Sequence, residues 1–347
     1  MFTASTLFSF YTETSLHAGG ETTISFVDQP IQREKYTDLP FIASSGIKGA
    51  IREWFESSGL VFNLVNTNKM IKDELDKIIE SNLKPDGIDN AKIELVQNEI
   101  NKIITVFGPE KEGADHAGAV SFTDARLLLF PVKSVKGVFA YVTCPLLLNR
   151  LIRDLTVINQ DAIIKWKVPT IVSNKCVTLS DSDVKINERV ILEEYPFDVQ
   201  SGGEEALKNI KDIATFIQEK FFPSGTEYKF WQDKLLKDLV ILRDDDFRDF
   251  AIHSTEIQTR IKIGKDKSTD TEKGGNLFTE ENILPDTLFY TLVFSSNPHS
   301  PEDETPEDVN NANKVIEYMK RVNDKRFQIG GDETIGKGIV KVKFLGV

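Results

Sequence analysis

The chain has 347 residues and a formal charge of −12, with 42 Lys+Arg against 54 Asp+Glu. Hydrophobic residues make up 40% and charged residues 28%, which supports a sizeable core and excludes a disordered chain. The longest nearly apolar run, Val138 to Leu148, is broken by Thr143 and Pro145 and falls short of the about 20 apolar residues that a bilayer requires.

Residues 6–14 place Phe8, Phe10 and Thr12 on one face and Leu7 and Tyr11 on the other, predicting a strand that ends before His17-Ala18-Gly19-Gly20. Pro30 disfavours helix at Gln29 and keeps the following stretch a loop. After Ser44-Ser45, the residues Ile47, Ala50, Ile51, Trp54 and Phe55 fall at helical spacing. Ile71, Leu75, Ile78 and Ile79 mark a second helix. Ile93, Val96, Ile100, Ile103, Ile104 and Phe107 mark a third, with Pro85-Asp86-Gly87 as the break. Strands are expected at 119–130, 137–143, 287–294 and 339–344, the last with Val340, Val342 and Phe344 opposite Lys341 and Lys343. Ser201 and Glu204 have capping-box spacing ahead of Leu207, Ile210, Ile213, Ala214 and Ile217. Thr305-Pro306 opens a helix striped by Val309, Ala312, Val315, Ile316 and Met319. Helices and strands without regular βαβ alternation indicate an α+β fold.

Met1–Ser5 has no basic region ahead of its apolar residues, so no signal peptide is expected. Cys144 and Cys176 form no C-x-x-C pair, which points away from disulfide or zinc scaffolds and towards a reducing cytoplasm. At face value the net charge argues against nucleic acid, whose phosphates need Lys and Arg. Yet residues 320–347 carry seven bases against three acids, and 124–150 and 258–267 carry four against one each. Three basic patches are therefore expected on an acidic body.

Three segments can carry chemistry. The loop Asp28-Gln29-Pro30-Ile31-Gln32-Arg33-Glu34-Lys35 can set Asp28 against a phosphodiester, as acid–base group or cation ligand, or use it as a loop cap. His17 can donate a proton or serve structurally. Ser44-Ser45-Gly46-Ile47-Lys48-Gly49-Ala50-Ile51-Arg52 is a helix start whose backbone N–H groups and bases suit an anion, or simply cap the helix. Gly330-Gly331-Asp332-Glu333-Thr334-Ile335-Gly336-Lys337-Gly338 lacks the Walker ending and feeds a strand. It allows close approach of a polymer backbone with Lys337 on a phosphate, or forms a bulged turn. His116, His253 and His299 lack zinc spacing, and Asp244-Asp245-Asp246 lacks the EF-hand pattern.

Taken together, several segments resemble the backbone RAMP subunits of the Cmr complex, the type III-B CRISPR RNA-guided effector. They are Leu16-His17-Ala18-Gly19, Asp28 through Glu34, Ser44-Ser45 with Lys48-Gly49-Ala50, Gly108-Pro109-Glu110, Val120 through Arg126, Lys136 through Ala140, Asp245 through Phe250, Thr255-Glu256, and Gly330 through Gly338. The likeness spans nearly the whole chain and is weakest over 149–244. It implies a modified ferredoxin-like (RRM-related) core, read as one domain over 1–347. A helical insertion is placed at about 60–115 and another at about 150–245, with a protruding hairpin near 165–200 that parts guide bases. The resemblance further implies a subunit lying along CRISPR guide RNA beside other copies of itself and other Cmr subunits, with no membrane. Such a subunit cuts complementary target RNA at regular intervals with a divalent metal, Mg or Mn. On that resemblance Asp28 is the cutting acid, as general base or metal ligand, and His17 and Glu256 assist. Arg33, Lys35, Ser44, Ser45, Lys48, Arg52, Gly330, Gly331, Gly336, Lys337 and Gly338 contact RNA. Base pairing, not side chains, selects the sequence. The alternatives are a non-catalytic guide-RNA-binding scaffold, with Asp28 a turn residue, and a small-molecule phosphate enzyme built on the glycine loop.

Overall fold

Both faces of the first strand carry side chains that avoid water, so β1 (Ala4–Thr12) belongs inside a sheet, and the computed structural model places it there. The structure describes residues 2–20, 27–57, 90–109, 116–261, 277–302 and 304–345, with side chains in the helix beginning at 90 described from residue 94. The expected helix at Ile71–Ile79, the break at Pro85-Asp86-Gly87, Glu110 and the bases Lys262, Lys265 and Lys267 lie outside these residues. The chain divides into two compact units. One comprises 1–6, 44–123 and 293–322; the other comprises 7–43, 124–292 and 323–347.

The larger unit is built on β10 (Leu239–Ile241), β5 (Phe139–Thr143), β4 (Ala125–Lys133), β13 (Leu288–Ser295), β1, β15 (Ile339–Phe344) and β14 (Arg326–Gln328), in that order. β10 runs parallel to β5, while β5–β4, β4–β13, β1–β15 and β15–β14 are antiparallel. β2 (Phe41–Ile42) adds to β4. Phe8 packs on Phe344 with ring centroids 4.0 Å apart, at the centre of a core that includes Phe10, Val340 and Val342. The lysine face of β15 is covered too: Lys341 donates to the Asp324 carbonyl at 2.6 Å and Lys343 to the Glu219 carbonyl at 2.7 Å.

Helices α3 (Pro145–Val157), α4 (Gly203–Phe221), α5 (Lys229–Asp238) and α6 (Asp244–His253) belong to this unit. In α4 the predicted stripe Ile210, Ile213, Ala214 and Ile217 is buried, and the Phe221 carbonyl accepts from Ser9 Oγ at 2.6 Å. The Ser201–Glu204 capping box does not form. The helix begins one residue later than that spacing requires, so Gly202 is the N-cap and makes no side-chain bond. Asp244, Asp245 and Asp246 form the first turn of α6, where acids complement the helix dipole.

Within 165–200 a small sheet runs β6 (Lys175–Cys176), β9 (Tyr195–Val199), β8 (Arg189–Leu192), β7 (Lys185–Ile186). Cys176, Val190, Leu192 and Phe197 are buried. Main-chain bonds tie β8 and its turn to the end of β4, Val135 N to Ile191 O at 3.1 Å and Glu193 N to Lys133 O at 2.8 Å. Cys144 and Cys176 are both free and buried. A second, separate ribbon pairs β11 (Glu256–Ile261) with β12 (Leu277–Asn282) in antiparallel register, Thr259 opposite Thr279. Ile257, Ile261 and Leu277 lie exposed on the face that carries Thr279.

The smaller unit holds α1 (Ser44–Ser57), α2 (Asn90–Phe107), β3 (Val120–Phe122) and α7 (Ala312–Met319), with β3 paired to residues 293–295 of β13. Ile47, Ile51 and Phe55 point inward from α1, and Phe55 stacks on Tyr318 at 4.7 Å. Glu99 accepts from Tyr318 Oη at 2.9 Å and pairs with Arg321. The helix expected from Pro306 starts later. Glu307–Val309 forms a single 3₁₀ turn, and Asn311 caps α7 by accepting from Lys314 N at 3.1 Å. The strand expected over 119–130 is two, β3 and β4, interrupted at Thr123-Asp124. Among the described residues no helix is long and apolar enough to cross a membrane.

Candidate functional site

β12 reads Leu277-Phe278-Thr279-Glu280-Glu281-Asn282. Successive side chains of a strand point to opposite faces. Two buried carboxylates side by side therefore need partners on both, since an unpaired buried charge is costly. Glu280, 1% exposed, accepts from Lys337 Nζ at 2.8 Å and pairs with Arg260 at 3.1 Å. Glu281 pairs with Arg33 and accepts from Thr255 Oγ1 at 2.7 Å and Ile31 N at 3.1 Å.

Asp28 is fixed to the same strand. Its N–H donates to Thr279 Oγ1 at 3.0 Å, while its Oδ2 accepts from Thr279 N at 2.7 Å and Thr279 Oγ1 at 2.9 Å. Gln29 N on Thr279 O (3.0 Å) and Glu281 N on Gln29 O (2.9 Å) continue this pairing. The side chain is exposed, and Oδ1 carries no hydrogen bond among the described residues. Donation from the Thr279 backbone, then from its hydroxyl, holds the Asp28 carboxyl below the usual carboxylate range.

His17 sits two residues further along β12, about 7 Å of strand, with Nδ1 2.8 Å from the Glu281 carbonyl oxygen. A carbonyl only accepts, so Nδ1 carries the proton, and in the neutral ring Nε2 keeps its lone pair. Gly331 N donates to the His17 carbonyl at 2.9 Å. Gly330 has φ +88°, and a Cβ there would lie 2.4 Å from His17 O, so the glycine is required by this close approach. Glu256 is placed elsewhere. It lies opposite Asn282, on the ribbon face that carries Glu280, and accepts from Ser15 Oγ at 2.5 Å and Gln258 Nε2 at 2.7 Å. The structure thus brings Asp28 and His17 onto one strand and sets Glu256 on the other face of the ribbon.

The expected RNA contacts divide. Arg33, besides Glu281, donates to the carbonyls of Asp38 (2.8 Å) and Ala251 (3.0 Å). Lys337, 7% exposed, is held by Glu280 and by Gln258 Oε1 at 2.8 Å. Both charges are neutralised internally because two buried glutamates require them. Lys35 is exposed and has no partner among the described residues. Gly338 has φ +74° and faces Ile329 O, where a Cβ would lie at 2.0 Å; Gly336, φ +81°, opens onto free space. The basic patches counted along the chain are likewise drawn into pairs: Lys320 with Glu317, Arg321 with Glu99, Arg326 with Glu13, Arg126 with Asp154, Arg150 with Glu34. Counting charge along a sequence omits the acids that folding brings alongside.

In the smaller unit, Ser45, Gly46 and Gly49 form an exposed face at the start of α1, with open space beside both glycines. Ser44 begins the helix and is half-buried. Lys48 Nζ donates to Val120 O at 3.2 Å, and burial, then the neighbouring Arg52, lower its pKa. Arg52 donates to Glu56 and to the Gly108 carbonyl, each at 2.8 Å.

Thr279, Glu280 and Glu281 are not among the residues expected from sequence, although the four consecutive polar residues Thr279-Glu280-Glu281-Asn282 that end the strand are a legible signal. Among the described residues no three His, Cys, Asp or Glu side chains group to hold a metal. Magnesium, however, accepts one carboxylate with water and phosphate oxygens, a donor set that Asp28 Oδ1 fits.

A family model of the RAMP superfamily matches residues 9–341. The chain is 35% identical over 338 residues to the CRISPR system Cmr endoribonuclease Cmr4 of Pyrococcus furiosus, covering 97% of this chain and 94% of that protein. The crystal structure of oligomeric Cmr4 from Pyrococcus furiosus aligns at 28% identity with a TM-score of 0.62, covering 99% of this chain and 98% of that one. A subunit in the cryo-EM structure of the type III-B Cmr-beta bound to cognate target RNA shares the fold, with a TM-score of 0.62 at 21% identity and coverage of 99% and 98%. The α+β ferredoxin-like core expected from the sequence is the fold found. The chain belongs to the RAMP superfamily and, within it, to the Cmr4 family.

Proposed function

We propose that this chain is the backbone endoribonuclease subunit of a type III-B Cmr complex, lying along CRISPR guide RNA beside other copies of itself and cutting complementary target RNA at regular intervals. The observation that carries the cutting site is Asp28, exposed, with Oδ2 bound twice by Thr279 and Oδ1 without a hydrogen bond among the described residues. RNA brings its own nucleophile, the 2′-hydroxyl. A carboxylate already bound by two donors is a weak proton acceptor and a good cation ligand, whereas the neutral ring of His17, with its Nδ1–H on the Glu281 carbonyl, offers the Nε2 lone pair. In this reading the 2′-oxygen attacks phosphorus and its proton passes to His17 Nε2. The 5′-oxygen then leaves and takes a proton from water. A divalent cation at Asp28 Oδ1, Mg or Mn, supplies positive charge for the phosphate when bound.

The face Ser45-Gly46-Gly49 and Lys35 suit the approach of an RNA backbone; Arg33 and Lys337 support the site from within. Glu256 acts at one remove, through Ser15 and Gln258. The chain is read as one RAMP domain with insertions at about 60–115 and 150–245, a reading supported by the family match over 9–341. The exposed Ile257, Ile261 and Leu277 favour the β11–β12 ribbon over 165–200 as the hairpin that parts guide bases. Two free buried cysteines fit a cytoplasmic location.

The test is a reconstituted complex with guide RNA and labelled target. Asp28→Asn and Asp28→Ala should slow cutting by about 100-fold or more while target binding persists. Chelation of divalent cations should stop cutting, and Mg or Mn should restore it. Cutting at the wild-type rate in Asp28→Ala would overturn the assignment of the cut to Asp28.

A further inference from the structure

We infer that Thr279 is the positioning residue of the cutting site, holding Asp28 so that one carboxylate oxygen stays bound and the other faces the RNA. The inference rests on the assignment of Asp28 above. The Thr279 hydroxyl acts in both directions, accepting from Asp28 N at 3.0 Å and donating to Asp28 Oδ2 at 2.9 Å. Its own N–H adds the third bond at 2.7 Å. The two residues lie 251 positions apart in sequence, so this is a tertiary clamp and not a local turn.

Thr279 is itself well fixed. It pairs with Thr259 across the ribbon, its carbonyl accepts from Gln29 N, and the next two residues of β12 are anchored by buried ion pairs on opposite faces. Among the described residues both Oδ2 bonds come from this one residue, and they select which oxygen remains open. A β-branched hydroxyl residue suits this place, since threonine favours a strand and its oxygen serves as donor and acceptor at once. Valine has the same shape and lacks both capacities.

The experiment uses the assembled complex with guide RNA and complementary target under single-turnover conditions. Thr279→Val should lower the cutting rate about tenfold or more, with guide retention and target binding unchanged, the loss of one hydrogen bond to a charged group. Thr279→Ser should restore the rate to within about twofold of wild type. In an Asp28→Asn background, Thr279→Val should change the residual rate by less than about twofold, because the clamped carboxylate is already gone. Wild-type cutting by Thr279→Val, in a complex that Asp28→Asn inactivates, overturns the clamp and leaves the cutting assignment standing. Wild-type cutting by Asp28→Asn overturns both. If Thr279→Val fails to assemble, Thr279→Ser decides: a slow serine complex overturns the inference and a fast one supports it.

Discussion

Arg33 looks from sequence like a phosphate contact, and the structure makes it a clasp; the two roles separate by stability. Glu281 is 6% exposed and accepts from Arg33, Thr255 Oγ1 and Ile31 N. Glu281→Ala leaves the Arg33 guanidinium without its carboxylate and the Ile31 N–H without its acceptor. Removing one side of a buried ion pair costs about 3–5 kcal/mol. Glu281→Gln keeps one acceptor oxygen and should cost about 1.5–3 kcal/mol, the range of a single charged hydrogen bond. Urea unfolding of the purified chain, followed by tryptophan fluorescence, should show a lower midpoint with an unchanged slope. Arg33→Ala should be costly too, since its guanidinium also holds the carbonyls of Asp38 and Ala251. The double variant should then fall short of the sum by about 1 kcal/mol or more. Exposed Lys35→Ala should stay within about 0.5 kcal/mol of wild type. A Glu281→Ala protein as stable as wild type, or strict additivity with Arg33→Ala, would refute this reasoning.

Gly49→Ala places a methyl group in open space on α1, so it should stabilise the chain by about 0.5–1 kcal/mol in thermal melts. In the assembled complex the same methyl should weaken guide RNA retention, and unchanged retention would remove α1 from the RNA path. Gly336→Ala, at φ +81° with free space around it, should cost about 1–2 kcal/mol. Gly330→Ala should cost clearly more in the same melts, because its methyl meets the His17 carbonyl. It should also slow target cutting, and equal costs at the two glycines would refute the close packing on His17.

Much of the architecture was legible residue by residue. The α1 stripe Ile47, Ile51 and Phe55, the α4 stripe around Ile213, and β15 with its alternating valines and lysines follow from side-chain periodicity, a property of neighbours in sequence. Element starts are less legible: at Gly202 a competing cap lies one residue away, and at Asn311 a 3₁₀ turn over Glu307–Val309 takes the place of the helix start expected at Pro306. Asp28 and His17 were legible as candidates.

What the sequence determined by itself was thus the periodic elements, the apolar core and the segments able to carry chemistry. Which charge meets which was decided only by tertiary structure. Lys337 and Arg33 look free along the chain and are claimed by Glu280 and Glu281, while Asp28 is oriented by a threonine 251 positions away. The same holds for the net charge of −12, an average that hides paired interior bases. Helical and strand periods depend on the local backbone, whereas ion pairs and carboxylate orientation depend on distances of about 3 Å that exist only once remote segments have been packed together.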